Sequence, residues 1–170
     1  MASIIVTETE AAVRNAERPR IREELREKLR SYNFTHFITL ASNHQDISQE
    51  RMRSLLKEWD ARVNRTLNGP KWQDRPDERL VWFAFPEKMD VNPHWHLLVE
   101  VDPEPATETR ALRLRQLKMI AKKHWLRLLP RGSFDCQAID SKRVVDYVTK
   151  VTAKEENLAG FVVYREFMTK

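Results

Sequence analysis

The chain has 170 residues, 41% hydrophobic and 32% charged, which suits one domain with its own core and excludes a disordered or membrane-embedded protein. No apolar run approaches the roughly 20 residues that span a bilayer, no secretory signal is expected, and three glycines cannot write a GxxxxGK phosphate loop. The net charge of +5 favours an anionic partner.

Residues 8–31 carry a helical pattern that Pro19 interrupts. Beyond it Ile21, Leu25 and Leu29 fall four apart, a single apolar stripe on a highly charged segment. Residues 1–31 are therefore expected to be an N-terminal helical extension, packed by a narrow edge or partly mobile. Residues 32–170 are expected to hold the chemistry.

Residues 34–41 (FTHFITLA) are aromatic and β-branched and predict a strand. Residues 48–67 predict an amphipathic helix, with Met52, Leu55, Leu56, Trp59, Val63 and Leu67 on one face. Asp46 or Ser48 can cap its start, and Asn68-Gly69-Pro70 ends it. After a polar loop, residues 80–85 (LVWFAF) are apolar throughout, as in a central strand covered on both faces. Residues 94–101 (HWHLLVEV) predict the next strand, joined to the last by a turn-like segment as an antiparallel hairpin.

Pro103 and Pro105 break the chain before a predicted helix from about Thr107 to Leu129. That helix carries seven basic residues between Arg110 and Arg127 and no acid, a stripe that matches a phosphate backbone. A short strand over 134–139, a helix from Ser141 to about Lys154 and a strand over 161–164 complete the order. The expectation is an α+β domain: an antiparallel sheet of about five strands with helices packed on it. Cys136 is the only cysteine, so the chain has no internal disulfide and no zinc finger; a buried structural role is expected for it.

His94-Trp95-His96 is the centre of the chemical reading. Residues two apart on a strand share a face, so both imidazoles project together while Trp95, Leu97 and Val99 enter the core. Neutral imidazole is a common ligand for transition metals. A carboxylate would complete a three-ligand site open to substrate. Glu87 is best placed by sequence and Asp90 next; Glu100 shares the histidines' parity but lies further along, and His36 is on another strand. A second element is the helix around Tyr147, where positions 147, 150 and 154 stack on one face. Val144, Val148 and Val151 form the adjacent face that would dock on the sheet.

In this order the strand FTHFITLASN, the pair His94-Trp95-His96 before LLVEV, and VVDYVTK with Tyr147 and Lys150 resemble the motifs of the HUH endonuclease superfamily. The resemblance covers about residues 34–154. One departure is that the family's carboxylate before the histidines has no fixed register here. With no second tyrosine three or four residues from Tyr147, the single-tyrosine class of rolling-circle replication initiators is implied.

The resemblance implies a ferredoxin-like or RRM-like fold and a divalent-metal nuclease that nicks single-stranded DNA in the cytoplasm of a microbial host. Tyr147 would be the nucleophile, assisted by Lys150. His94 and His96 would hold Mg²⁺ or Mn²⁺, with Glu87 as third ligand. Lys154, Arg143, Lys122, Lys123 and Arg115 would contact the DNA; Trp72, Trp82 and Trp125 are stacking candidates, with core packing the favoured role for each. A helicase, where needed, would come from the host, and no membrane is involved. The alternatives are a relaxase or transposase with the same chemistry, a non-catalytic RRM-like nucleic-acid-binding domain, and a structural or interaction protein whose histidines are incidental.

Overall fold

The alternating and continuous apolar runs pair into one sheet, and the amphipathic stretches pack on it. The structure is a computed structural model that describes residues 20–43, 46–139, 143–148 and 160–168. The elements are α1 (residues 20–30), β1 (His36–Ala41), α2 (Gln49–Asn68), β2 (Val81–Glu87), β3 (His94–Glu100), α3 (Glu108–Arg115), α4 (Leu117–Leu128), β4 (Ser133–Ala138), α5 (residues 143–148) and β5 (Val162–Val163). Short 3₁₀ turns occupy Trp72–Asp74, Pro76–Glu78 and Tyr164–Phe167.

The five strands run in the order β4-β1-β3-β2-β5, and every pairing is antiparallel. From β1 to β4 the chain follows the split βαβ pattern of ferredoxin-like folds, with α2 in the first crossover and α3 and α4 in the second. β5 adds a two-residue edge beside β2.

One face of the sheet carries the main core. Ile38, Leu40, Trp82, Ala84, Trp95, Leu97 and Val99 point into it and meet the apolar sides of α2 and α4. The helix expected over 48–67 forms with its predicted face buried: Met52, Leu55, Leu56, Trp59, Val63 and Leu67 are all inaccessible. Ser48 caps it by accepting from the Arg51 amide, and Gly69 ends it at φ +85°, a left-handed conformation that suits glycine. Each large side chain fully buried here contributes about 1.5–3 kcal/mol.

The buried indoles are also satisfied. Trp59 Nε1 donates to Ala121 O at 3.0 Å, Trp95 Nε1 to Met52 O at 3.2 Å and Trp125 Nε1 to Ala41 O at 3.2 Å. Gly132 sits beside this last contact; a Cβ there would lie 2.7 Å from Ala41 O. Asp60 of α2 is buried in the same layer, where Arg79 pairs with it and Trp82 and Asn64 donate to it, each at 2.8 Å.

Among the described residues the other face is covered by α1 and α5. Leu25 and Leu29 of α1 and Val145 and Val148 of α5 pack there on Phe34, Phe83, Phe85 and Leu98. Of the predicted stripe, Ile21 stays exposed. On α5 the fully buried position is Val145, with Val144 only half-buried, a one-residue change in helical phase from the expected face. Val151 lies outside the described residues.

The N-terminal helix is part of the fold. It supplies core residues to this face, and Arg26 and Arg30 reach Asp146 of α5 at 3.5 and 3.1 Å. The predicted basic helix is two helices, because Gln116 leaves helical geometry at φ −95°, ψ 8°. Among the described residues no helix is long and apolar enough to cross a membrane.

Candidate metal centre

The site lies on the second face, at the end of the sheet where β1 finishes and β3 starts. The β2–β3 register sets Glu87 directly opposite His94 and Phe85 opposite His96. Opposed residues of an antiparallel pair share a face, as do residues two apart on a strand. Glu87, His94 and His96 therefore converge without any unusual backbone in the strands themselves. One carboxylate oxygen, Glu87 Oε2, lies 3.1 Å from His94 Nε2 and makes a short contact with His96 Nε2. The three donor atoms all fall within 4.8 Å of one another, so the group can hold a metal ion.

The outer nitrogens are held as well. His94 Nδ1 donates to Asn92 O at 2.7 Å, since a carbonyl can only accept. With that proton fixed on Nδ1, neutral His94 turns a bare lone pair towards a carboxylate oxygen 3.1 Å away. Two lone pairs at that separation repel, and a cation between them, a proton on Nε2 or a metal ion, resolves the conflict. This is the observation on which the donor set fits a metal. His96 Nδ1 lies 3.0 Å from Thr39 Oγ1. A hydroxyl can donate or accept, so Thr39 serves His96 whichever ring nitrogen carries the proton. Such outer partners orient ligating imidazoles and fix their tautomer.

Electrostatics agree with the geometry. Burial pushes the Glu87 carboxyl up, but hydrogen bonds and attraction from His96 and His94 outweigh it and hold the group below its ordinary value. Burial lowers the His96 imidazole, with His94 and Lys88 pushing the same way against Glu87. At neutral pH the resulting set is an ionised carboxylate beside an uncharged His96, the protonation states a cation requires.

Tyr147 lies on the same face. It is 52% exposed on α5, and its ring meets Phe37 edge-on at 6.3 Å. Phe37 in turn stacks on the His96 ring at 5.1 Å and 21°. One aromatic ring thus separates the phenol from the nearest histidine of the triad. Phe37, Thr39 and Asn92 were not among the predicted site residues. The two-residue period of FTHFITLA put Phe37 and Thr39 on one face, but only the β1–β3 register shows that this face is the histidines' own.

Other candidates do not join the group. Asp90 is in the exposed turn, Glu100 accepts from the Asn33 amide at 2.7 Å at the far end of β3, and His36 contacts Thr35 on the opposite parity. Lys150 and Lys154 lie outside the described residues. Arg143 is exposed on α5.

Arg115, Lys122 and Lys123 do not face the triad, because α3 and α4 pack on the opposite face of the sheet. These three residues, expected to contact the DNA, therefore lie away from the face that holds the triad. The three tryptophans are structural: Trp82 and Trp125 are fully buried, and Trp72 is covered by the Arg79 guanidinium at 4.7 Å. Cys136 is buried in the main core, as expected.

Comparisons with protein-family models, with curated proteins and with solved structures find no match to this chain.

Proposed function

We propose that this protein is a metal-dependent endonuclease that nicks single-stranded DNA and rejoins or transfers it through a 5′-phosphotyrosine at Tyr147, as the HUH-type motifs imply. The observation that carries the reading is the sharing of one sheet face by Glu87, His94, His96 and Tyr147, with Phe37 between the phenol and the triad. Tyr147 is half exposed beside this face, so a phosphodiester can approach its hydroxyl there.

Glu87, His94 and His96 would hold a divalent ion, Mg²⁺ or Mn²⁺ on mixed nitrogen and oxygen donors. When bound, the ion supplies positive charge that polarises the scissile phosphate and stabilises charge developing there. Tyr147 Oη gives its proton to solvent and forms a bond to phosphorus. The bond from phosphorus to the 3′ oxygen breaks, and that oxygen takes a proton and leaves as a free 3′-hydroxyl. Because the phosphate stays esterified to tyrosine, the reverse attack by a 3′-hydroxyl reseals the strand without ATP. Lys150, three residues on from Tyr147, would pair with the phenolate or the phosphate. The biological role that fits is initiation of rolling-circle replication of a phage, plasmid or similar element; a relaxase or transposase would use the same steps.

The test is a covalent adduct. The protein is incubated with Mn²⁺ and labelled single-stranded oligonucleotides tiled across its own replicon, and the products are resolved under denaturing conditions. A labelled protein band that disappears in Tyr147→Phe is expected. Absence of the band on every oligonucleotide, or its persistence in Tyr147→Phe, overturns the proposal.

A further inference from the structure

Among the described helices, α4 alone carries cations and no acid. Arg20, Arg26, Arg53 and Arg62 each pair with a glutamate at 2.5–2.9 Å. Lys118, Lys122, Lys123 and Arg127 are all exposed, and among the described residues none has a carboxylate within ion-pair distance. The first turn of α4 holds no acid either. Its inner side, Leu117, Ile120, Ala121 and Trp125, is spent on the main core, so the cations form the outer side of a fixed helix. Four un-neutralised charges on one rigid element repel one another, and they persist at a cost that a polyanion would relieve.

This helix lies on the opposite face of the sheet from the triad. A helix layer stands about 10 Å from what it packs on, so a nucleotide seated at His96 cannot reach these side chains. A second stretch of nucleic acid is needed to cover them.

We infer that the outer side of α4 is a second DNA surface, which binds the sugar–phosphate backbone of duplex DNA while the opposite face holds the strand to be cut. Single-strand sites combine cations with aromatic platforms for the bases. Here the exposed large apolar residues of the layer are Leu112 and Met119, and the one tryptophan of α4 is fully buried. With nothing to stack on, the surface reads backbone charge, which a duplex presents at high density, about one charge per 1.7 Å of axis. The twelve residues of α4 give a line of cations about 18 Å long at 1.5 Å per residue. An anionic membrane is the weaker partner, since an interfacial helix inserts its large apolar side and α4 has buried its own. The partner class rests on the nucleic-acid reading above; the surface does not depend on nicking.

The test compares the full-length protein with a variant carrying Lys118→Gln, Lys122→Gln, Lys123→Gln and Arg127→Gln. Binding to a duplex without any single-stranded end is measured across a salt series by fluorescence anisotropy, beside a single-stranded oligonucleotide and vesicles rich in phosphatidylserine. Unchanged circular dichroism and unchanged Mn²⁺ affinity report that the variant folds, and Lys→Arg replacements at the three lysines should restore binding. The expected result is duplex binding whose salt slope falls by about 3.6 in the variant, about 0.9 for each charge removed. Duplex binding that is absent, or unchanged in slope, overturns the inference, as does a loss confined to the single strand or to vesicles. Duplex binding retained by a Tyr147→Phe protein that forms no adduct keeps this surface separate from the nuclease proposal: failure of nicking alone leaves it standing.

Discussion

Glu87 and His94 face each other across β2 and β3, so that one carboxylate oxygen lies 3.1 Å from a ring nitrogen whose partner nitrogen is already committed to Asn92 O. A metal ion is expected to bind there in place of the unfavourable contact. Titration with Mn²⁺ followed by electron paramagnetic resonance should show one strong site. Thr39→Val keeps the three ligands and removes the partner of His96, so affinity should fall about 10–100-fold. Glu87→Gln should fall further, and equal affinity in Glu87→Gln and wild type would remove the metal centre.

Phe37 fixes the separation between the phenol of Tyr147 and the ring of His96. Phe37→Leu should leave Mn²⁺ affinity nearly unchanged and slow adduct formation by about 100-fold, the scale of a 1 Å misplacement of a reacting group. Phe37→Tyr keeps the ring and should recover most of the rate. Single-turnover kinetics on one nicking oligonucleotide measures both.

Asp60 is predicted to be among the costliest positions to truncate. Its removal leaves Arg79 buried without its counter-charge and Trp82 Nε1 without its acceptor. Asp60→Ala should lose about 3–5 kcal/mol, and Tm should drop by about 10 °C. A thermal melt within 3 °C of wild type would contradict this, on the order of a surface substitution.

His124 gives the sign of the acid response. Burial lowers its imidazole below the ordinary 6.5, and Arg62, Arg127 and Lys123 push it the same way. The unfolded chain therefore takes up a proton near 6.5 while the folded one does not, so the unfolded state binds more protons just below that pH. Stability should fall as pH drops through that window. His36 and His96, both lowered chiefly by burial, act in the same direction. Urea midpoints measured between about pH 7 and pH 5.5 should decline, and His124→Gln should flatten part of the decline.

Much of the architecture was legible from local pattern. The α2 stripe has a helical period, the HWH strand alternates and LVWFAF is an unbroken apolar run of strand length; all three form as predicted. Glu87 was chosen for lying upstream in the hairpin; what the sequence withheld was register, which depends on the six residues 88–93 and on Lys88 taking φ +51°. The placement of the basic helix needed a rule of handedness. Right-handed crossovers put α2 and α4 on the same face, the one that Trp95 and Leu97 enter, which leaves the histidines on the other. The phase of α5 was not legible, because Val144 and Val145 are adjacent and either could lead the apolar face.

All three donor side chains belong to the single hairpin from Glu87 to His96. A contact between residues so near in sequence closes a short loop at small entropic cost. An ion could thus be captured by a chain in which only these two strands have paired, long before α1 and α5 arrive to roof the sheet. The cation would then act as a clasp on the hairpin that sets the register of the central strands, and a peptide covering little more than this hairpin would be the smallest unit in which the chelate could be rebuilt.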